Sequence, residues 1–178
     1  MHKMEDVALR NLSNFFLLVG NGDTLETLRG LIKEVEGGVS LEDIFKKVVS
    51  HARIQADKEE DLFQCFREWT IIAGHTGEDA DLARAEDLLP KIHSPNQRGV
   101  AKKLLVKALA KAGHLEDART VSGNIKNAYW RAEAYLKLYE ISNDAGDISS
   151  AIFAAEHING ADAKGEVLAQ IKAARPEE

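Results

Sequence analysis

Apolar residues recur at three- and four-residue steps along most of this chain, the spacing that gathers them on one face of an α-helix. Leu9, Leu12, Phe16 and Val19 predict a helix from about Glu5 to Val19, stopped by Gly20-Asn-Gly22. Asp23, Thr24 and Glu26 supply a capping box for a second helix carrying Leu25, Leu28, Ile32 and Val35, which ends at Gly37-Gly38. Ser40 caps a third, with Leu41, Ile44 or Phe45, Val48 and Ala52 on its apolar side. The polar stretch Gln55–Asp61 holds no glycine or proline, so a short break near Asp57 and one long continuous helix both fit it. A fourth helix buries Leu62, Phe66, Trp69 and Ala73 and is expected to stop at Gly74, before a longer loop, His75–Asp79.

Beyond that loop a second period is superimposed on the helical one. Ala80-Asp-Leu-Ala-Arg-Ala85, Gly113-His-Leu-Glu-Asp-Ala118 and Gly146-Asp-Ile-Ser-Ser-Ala151 are copies of one phrase, 33 residues apart. Each is followed at a fixed distance by an isoleucine (Ile92, Ile125, Ile158) and then by a cation (Arg98, Arg131, Lys164). A fixed interval of this size marks supersecondary units that bury their apolar faces against one another. Within the units, Asp81–Lys91 reads as a short helix, and Ser94-Pro95 opens another that runs to Ala112. Its inner positions Ala101, Leu105, Ala108 and Ala112 return as Ala134, Leu138, Ile141 and Ala145, then as Val167, Ile171 and Ala174. Small residues at fixed places let helices approach, and the larger aliphatics interlock them. The last helix has no partner after it and is expected to close the stack.

The stretches Ala112–Ala118 and Ala145–Ala151 resemble the inter-helix Gly-Asp/Asn-hydrophobic-x-x-Ala segment of tetratricopeptide repeats, with Ala85, Ala118 and Ala151 at its small position. The resemblance spans roughly Leu62 to Ala174 and is to a divergent form, since Val106 and Tyr139 stand where the family has glycine and Trp130 and Ala163 where it has proline. It implies an all-α fold, a right-handed superhelix of stacked antiparallel helix hairpins. Residues 1–57 would then be N-terminal helices, with degenerate repeats as one form of them, and 58–178 the repeats with a capping helix, in one continuous domain. It also implies a concave face, lined by the first helix of each pair, that takes extended peptides. On that register Lys103, Lys107 and Lys111 lie in the groove, with Glu133, Glu140 and Asp144 from the next unit, and Asn143 is the one candidate for the polar asparagine of the family's carboxylate-binding members.

Composition narrows the function classes. At 44% hydrophobic and 29% charged residues the chain has the make-up of a globular protein. A net charge of -6 argues against a general nucleic-acid binder, which needs a basic face to displace counterions. The five-residue run Phe15–Val19 is far short of a membrane span, and a lone cysteine, Cys65, builds neither a disulfide nor a cysteine zinc site. A cytoplasmic protein follows as the expectation.

No catalytic or metal-binding constellation stands out. The histidines have no two-ligand helical spacing, Gly20-Asn-Gly-Asp is not followed by the Lys-Ser/Thr of a phosphate loop, and no calcium-loop spacing occurs. His114 stands where the other units carry Asp81 and Asp147, which suggests loop capping. Cys65 and His75 are ten residues apart on one predicted helix, about 15 Å, too far to act together. No enzyme activity and no cofactor are expected.

What is left is a surface for another protein. Lys103, Lys107 and Lys111 are four apart and form one basic stripe. Either it receives an acidic peptide or a C-terminal carboxylate, or it pairs with the next unit, Lys107 with Glu140 and Lys111 with Asp144. Trp130 sits at a unit junction, as a staple between units or, with Tyr135, as an exposed anchor. The favoured expectation is a non-catalytic scaffold that offers a groove to a peptide or helix. The alternatives are a self-associating (homodimeric) protein whose Phe15, Phe16, Phe45, Phe63 and Phe66 form an apolar patch, a chaperone or secretion accessory, and a small hydrolase or metal-dependent enzyme.

Overall fold

The computed structural model describes Gly38 and residues 40–175. The helices expected around Glu5–Val19 and Leu25–Val35, with Phe15 and Phe16, lie outside the described residues. Every regular element among the described residues is helical, eight α-helices and one 3-10 turn. The chain divides into two compact units, Met1–Glu60 and Asp61–Glu178.

In the first unit, α1 (Leu41–Lys58) begins where Ser40 adopts extended backbone and accepts the Asp43 amide at 3.1 Å, while its hydroxyl donates back to the Asp43 carboxylate at 2.7 Å. Ile44, Val48, Ala52 and Ala56 are buried at the four-residue steps the sequence predicts, joined by Val49, and Phe45 is half-buried. The helix ends at Lys58 with Glu59 extended, so the chain is broken two residues past Asp57 rather than continuing as one long helix.

The second unit comprises α2 (Leu62–Thr76), α3 (Asp79–Leu88), a 3-10 turn at Leu89–Lys91, α4 (Pro95–Lys111), α5 (Leu115–Gly123), α6 (Ala128–Ser142), α7 (Ala145–Glu156) and α8 (Ala161–Ala174). Helices α2, α4, α6 and α8 touch in series; α3, α5 and α7 each pack on the helix before and the helix after them. Ala85, Ala118 and Ala151 are all fully buried, as are Ala101, Ala134 and Val167 at the matching places of α4, α6 and α8. The position after these is filled by Leu105, Leu138 and Ile171, also buried. Ile141 departs from the predicted pattern and is 38% exposed near the end of α6, and Ala145 is exposed at the start of α7.

The periodic cations prove to be architectural. Arg98 Nε donates to the Ile92 carbonyl at 2.8 Å and Arg131 Nη1 to the Ile125 carbonyl at 3.0 Å, while Lys164 Nζ reaches the Glu156 carbonyl at 3.0 Å. Each cation thus satisfies a carbonyl left open where the preceding helix runs out, at the end of the helix dipole that favours positive charge.

The turns between paired helices come in two kinds. α2 passes through Gly74 and stops only at Gly77, which is left-handed (φ 67°); the expected longer loop is only Gly77-Glu78. At the position 66 residues on, Asn143 takes the same conformation (φ 54°) and Asn143-Asp144 is again a two-residue connection. In both turns a hydroxyl pins the start of the next helix: Thr76 Oγ1 donates to Asp81 and Ser142 Oγ to Asp147, each at 2.7 Å. The middle unit has Ala110, Leu109 and His114 at these places. Alanine resists the left-handed region, so α4 runs on to Lys111 and turns instead at Gly113 (φ 91°). His114 makes no capping bond; its Nε2 lies 3.1 Å from Asp79 of the preceding hairpin.

Candidate functional site

Helix α4 concentrates positive charge. It carries Arg98, Lys102, Lys103, Lys107 and Lys111 and no carboxylate, within a chain whose net charge is -6. Ser94 accepts the Gln97 amide and Pro95 fills the first turn, which fixes where this helix starts and hence the facing of its lysines.

The stripe is not uniform. Lys103 Nζ bonds to Glu133 of α6 at 2.5 Å and stands 5.0 Å from the ring centre of Trp130. Tyr129 donates to the other Glu133 oxygen at 3.3 Å and meets Trp130 edge to face. Lys103 is therefore spent on holding α4 to α6. The pairs anticipated for the other two lysines do not form. Glu140 is taken by Lys137 on its own helix at 2.8 Å, and Asp144 by Arg119 at 3.1 Å. Neither the i to i+3 reach of Lys137 nor the long reach of Arg119 from α5 is visible in the 33-residue register. Lys107 and Lys111 are exposed and make no ion pair among the described residues.

Half-buried His75, on α2, joins them. Partial burial, followed by the nearby charges of Lys111 and Lys107, pushes its imidazole below the ordinary histidine value. Lys111, exposed as a residue, is itself lowered by partial desolvation of its ammonium and then by Lys107. α2 comes close here because Gly74 has no side chain: a Cβ would sit 3.5 Å from Ala108 Cα and from Lys111 Cδ. The two ammonium groups of α4, beside an imidazole whose protonation they oppose, therefore make this corner locally electropositive.

The other expected groove residues are occupied in turns and packing. Asn143 is the left-handed cap of α6. Asp144 caps α7, accepting the Gly146 amide at 2.7 Å. Buried Asp147 holds Arg119 through two bonds, at 2.9 and 3.0 Å, in addition to Ser142. Hydrogen bonds to Asp147 and then to Glu116 hold the Arg119 pKa above the usual arginine value. Tyr135 is half-buried and borders a cavity of about 590 Å³ with Arg131, Ser149, Ser150 and Phe153. Phe153, 61% exposed, was not anticipated; it falls outside the predicted core register of its helix.

Trp130 is half-buried between successive helix pairs of the second unit. Its Nε1 donates to Asn96 at 3.2 Å, and its ring lies over Gly99 so closely that a Cβ there would be 2.3 Å from Cδ1. The indole thus links α6 to the first turn of α4.

Among the described residues no three His, Cys, Asp or Glu side chains gather in a group able to hold a metal ion, and no helix is long and apolar enough to cross a membrane. Cys65 is buried on α2, the helix that also carries His75 and keeps the two apart. Comparison with models of protein families, with curated proteins and with solved structures returns no match.

Proposed function

We propose that this protein is a non-catalytic docking scaffold, a divergent tetratricopeptide-like array whose hairpins wind into a right-handed superhelix and whose α4 face receives an acidic segment of a partner protein. The 33-residue period and the serial contact of α2, α4, α6 and α8 support the array. One observation carries the docking face: Lys107 and Lys111 are exposed, make no ion pair among the described residues and stand beside His75. Uncompensated like charges held together by packing are relieved when an anionic segment arrives, which gives both affinity and steering.

The test is binding of a fluorescein-labelled hexaglutamate peptide, followed by anisotropy. Reversing both charges, Lys107→Glu with Lys111→Glu, is expected to weaken binding by about tenfold or more, as for loss of two charge-assisted contacts. Lys91→Glu with Lys172→Glu, a double reversal at exposed positions away from this face, serves as a charge-matched control and is expected to change little. Equal loss in both variants removes the assignment.

A second reading, self-association, is favoured by the exposure of Phe153 beside the Tyr135 cavity. Light scattering separates it: a dimer that Phe153→Ser makes monomeric supports it, and a concentration-independent monomer excludes it.

A further inference from the structure

We propose that the cleft between the first turns of α4 and α6 is a second site, distinct from the Lys107–Lys111 face, which binds a phosphoryl oxyanion, either free phosphate or the phosphate of a small ester. The cleft has a volume of about 450 Å³ and is lined by Arg98, Gly99, Lys102, Lys126 and Trp130, among others. That size suits a small molecule rather than a folded partner. Three of its lining side chains are cations and none is a carboxylate.

The cations are oriented without being neutralised. Arg98 is held by the Ile92 carbonyl at 2.8 Å and Lys102 by the Asn124 carbonyl at 2.9 Å. Backbone carbonyls fix the side chains but carry no net charge, so the guanidinium and the ammonium keep both their charge and further N–H donors. Lys126, in the loop before α6, makes no hydrogen bond or ion pair among the described residues. Holding long side chains in place before a ligand arrives lowers the ordering cost of binding. A phosphoryl group offers three acceptor oxygens, one for each cation, and about -1.5 to -2 charge, which offsets more of the three positive charges than the single charge of a carboxylate.

The next junction supplies an internal comparison. A cavity of about 460 Å³ lies there too, lined by Lys126, Arg131, Ile158 and Ala163 among others. It repeats the first cleft one period on, with Arg131 held by Ile125 as Arg98 is by Ile92. At the places of Lys102 and Trp130, however, the sequence has Tyr135 and Ala163. Repetition of the fold therefore explains the hollow but not the extra cation and the indole, which belong to the first junction alone among the two. Gly99 is what admits Trp130, whose ring supplies an apolar wall for the body of an ester.

The experiment is titration of the full-length protein with inorganic phosphate and with glucose 6-phosphate, followed by calorimetry and by tryptophan emission. Both Lys126→Gln and Lys107→Gln lie at exposed positions and are expected to fold. Binding that Lys126→Gln and Lys102→Gln each weaken by about tenfold, while Lys107→Gln leaves it within about twofold, supports the site, because Lys102 borders the first cleft alone of the two; loss with Lys126→Gln but not with Lys102→Gln overturns it. An ester that binds about tenfold more tightly than free phosphate identifies the ester as the ligand, and equal affinities identify the free anion. The proposal is overturned if neither probe binds at about 10 mM, near the weak end of measurable affinity. It is also overturned if Lys107→Gln costs as much as Lys126→Gln, or if Lys126→Gln weakens hexaglutamate as much as it weakens the ester. Failure here leaves the peptide face untouched, because that face is tested by Lys107 and Lys111 alone.

Discussion

His75 shows how a single side chain reports its surroundings. Its pKa is depressed in the folded protein by burial and by Lys111 and Lys107, whereas in the unfolded chain it returns to the ordinary value near 6.5. A base that is harder to protonate when folded contributes stability that is complete above pH 6.5 and is lost as pH falls below it. The melting temperature is therefore expected to drop between pH 7.5 and pH 5, and to drop less in His75→Gln. Binding of an acidic peptide acts oppositely on the same group, because added negative charge favours the imidazolium. Hexaglutamate affinity should rise as pH falls through this range in the wild type, and the rise should be smaller in His75→Gln. Neither effect could be read from the sequence, where His75 is one of six scattered histidines.

At the scale of elements, the turns decide where helices stop and how they are pinned. Asn143 occupies the left-handed region that most L-residues avoid, and it is the only non-glycine residue to do so among the described residues. Asn143→Ala is expected to cost about 1 kcal/mol of stability and Asn143→Gly to be neutral or slightly stabilising, measured by urea denaturation. The caps at Ser40 and Ser94 were legible because an N-cap is a local matter of one side chain and the amide three residues on. The end of α2 was not. Gly74 invites a stop in sequence, yet it serves close contact with α4 within a continuing helix, and Gly77 takes the turn. A glycine needed for approach and a glycine needed for positive φ look the same until the neighbouring helix is in place.

For the molecule as a whole, the terminal helix is part of the core rather than an appendage. Val167 and Ile171 of α8 are buried in one cluster with Leu136 and Tyr139 of α6 and Ile148, Ala151 and Ala155 of α7. Val167→Ala should therefore lower stability by about 2 kcal/mol, as for a truncation in a packed interior, with loss of denaturant midpoint as the readout. At the internal position Ala118 the opposite change is informative. Ala118→Leu adds volume where the α5 packing leaves none, and a loss of about 1–3 kcal/mol is expected in thermal or urea unfolding.

The sequence by itself determined the helical class, the 33-residue period, the caps at Ser40 and Ser94 and the buried small positions Ala85, Ala118 and Ala151, because each depends on spacing along one chain segment. Only the tertiary structure decided which charges meet. Arg119 rather than Lys111 takes Asp144, and Lys137 rather than Lys107 takes Glu140. Side chains of this length choose among several partners within reach, and that choice is made by the distance and facing of packed helices. The same packing leaves Lys107 and Lys111 beside His75, and closes Arg98, Lys102, Lys126 and Trp130 around one cleft.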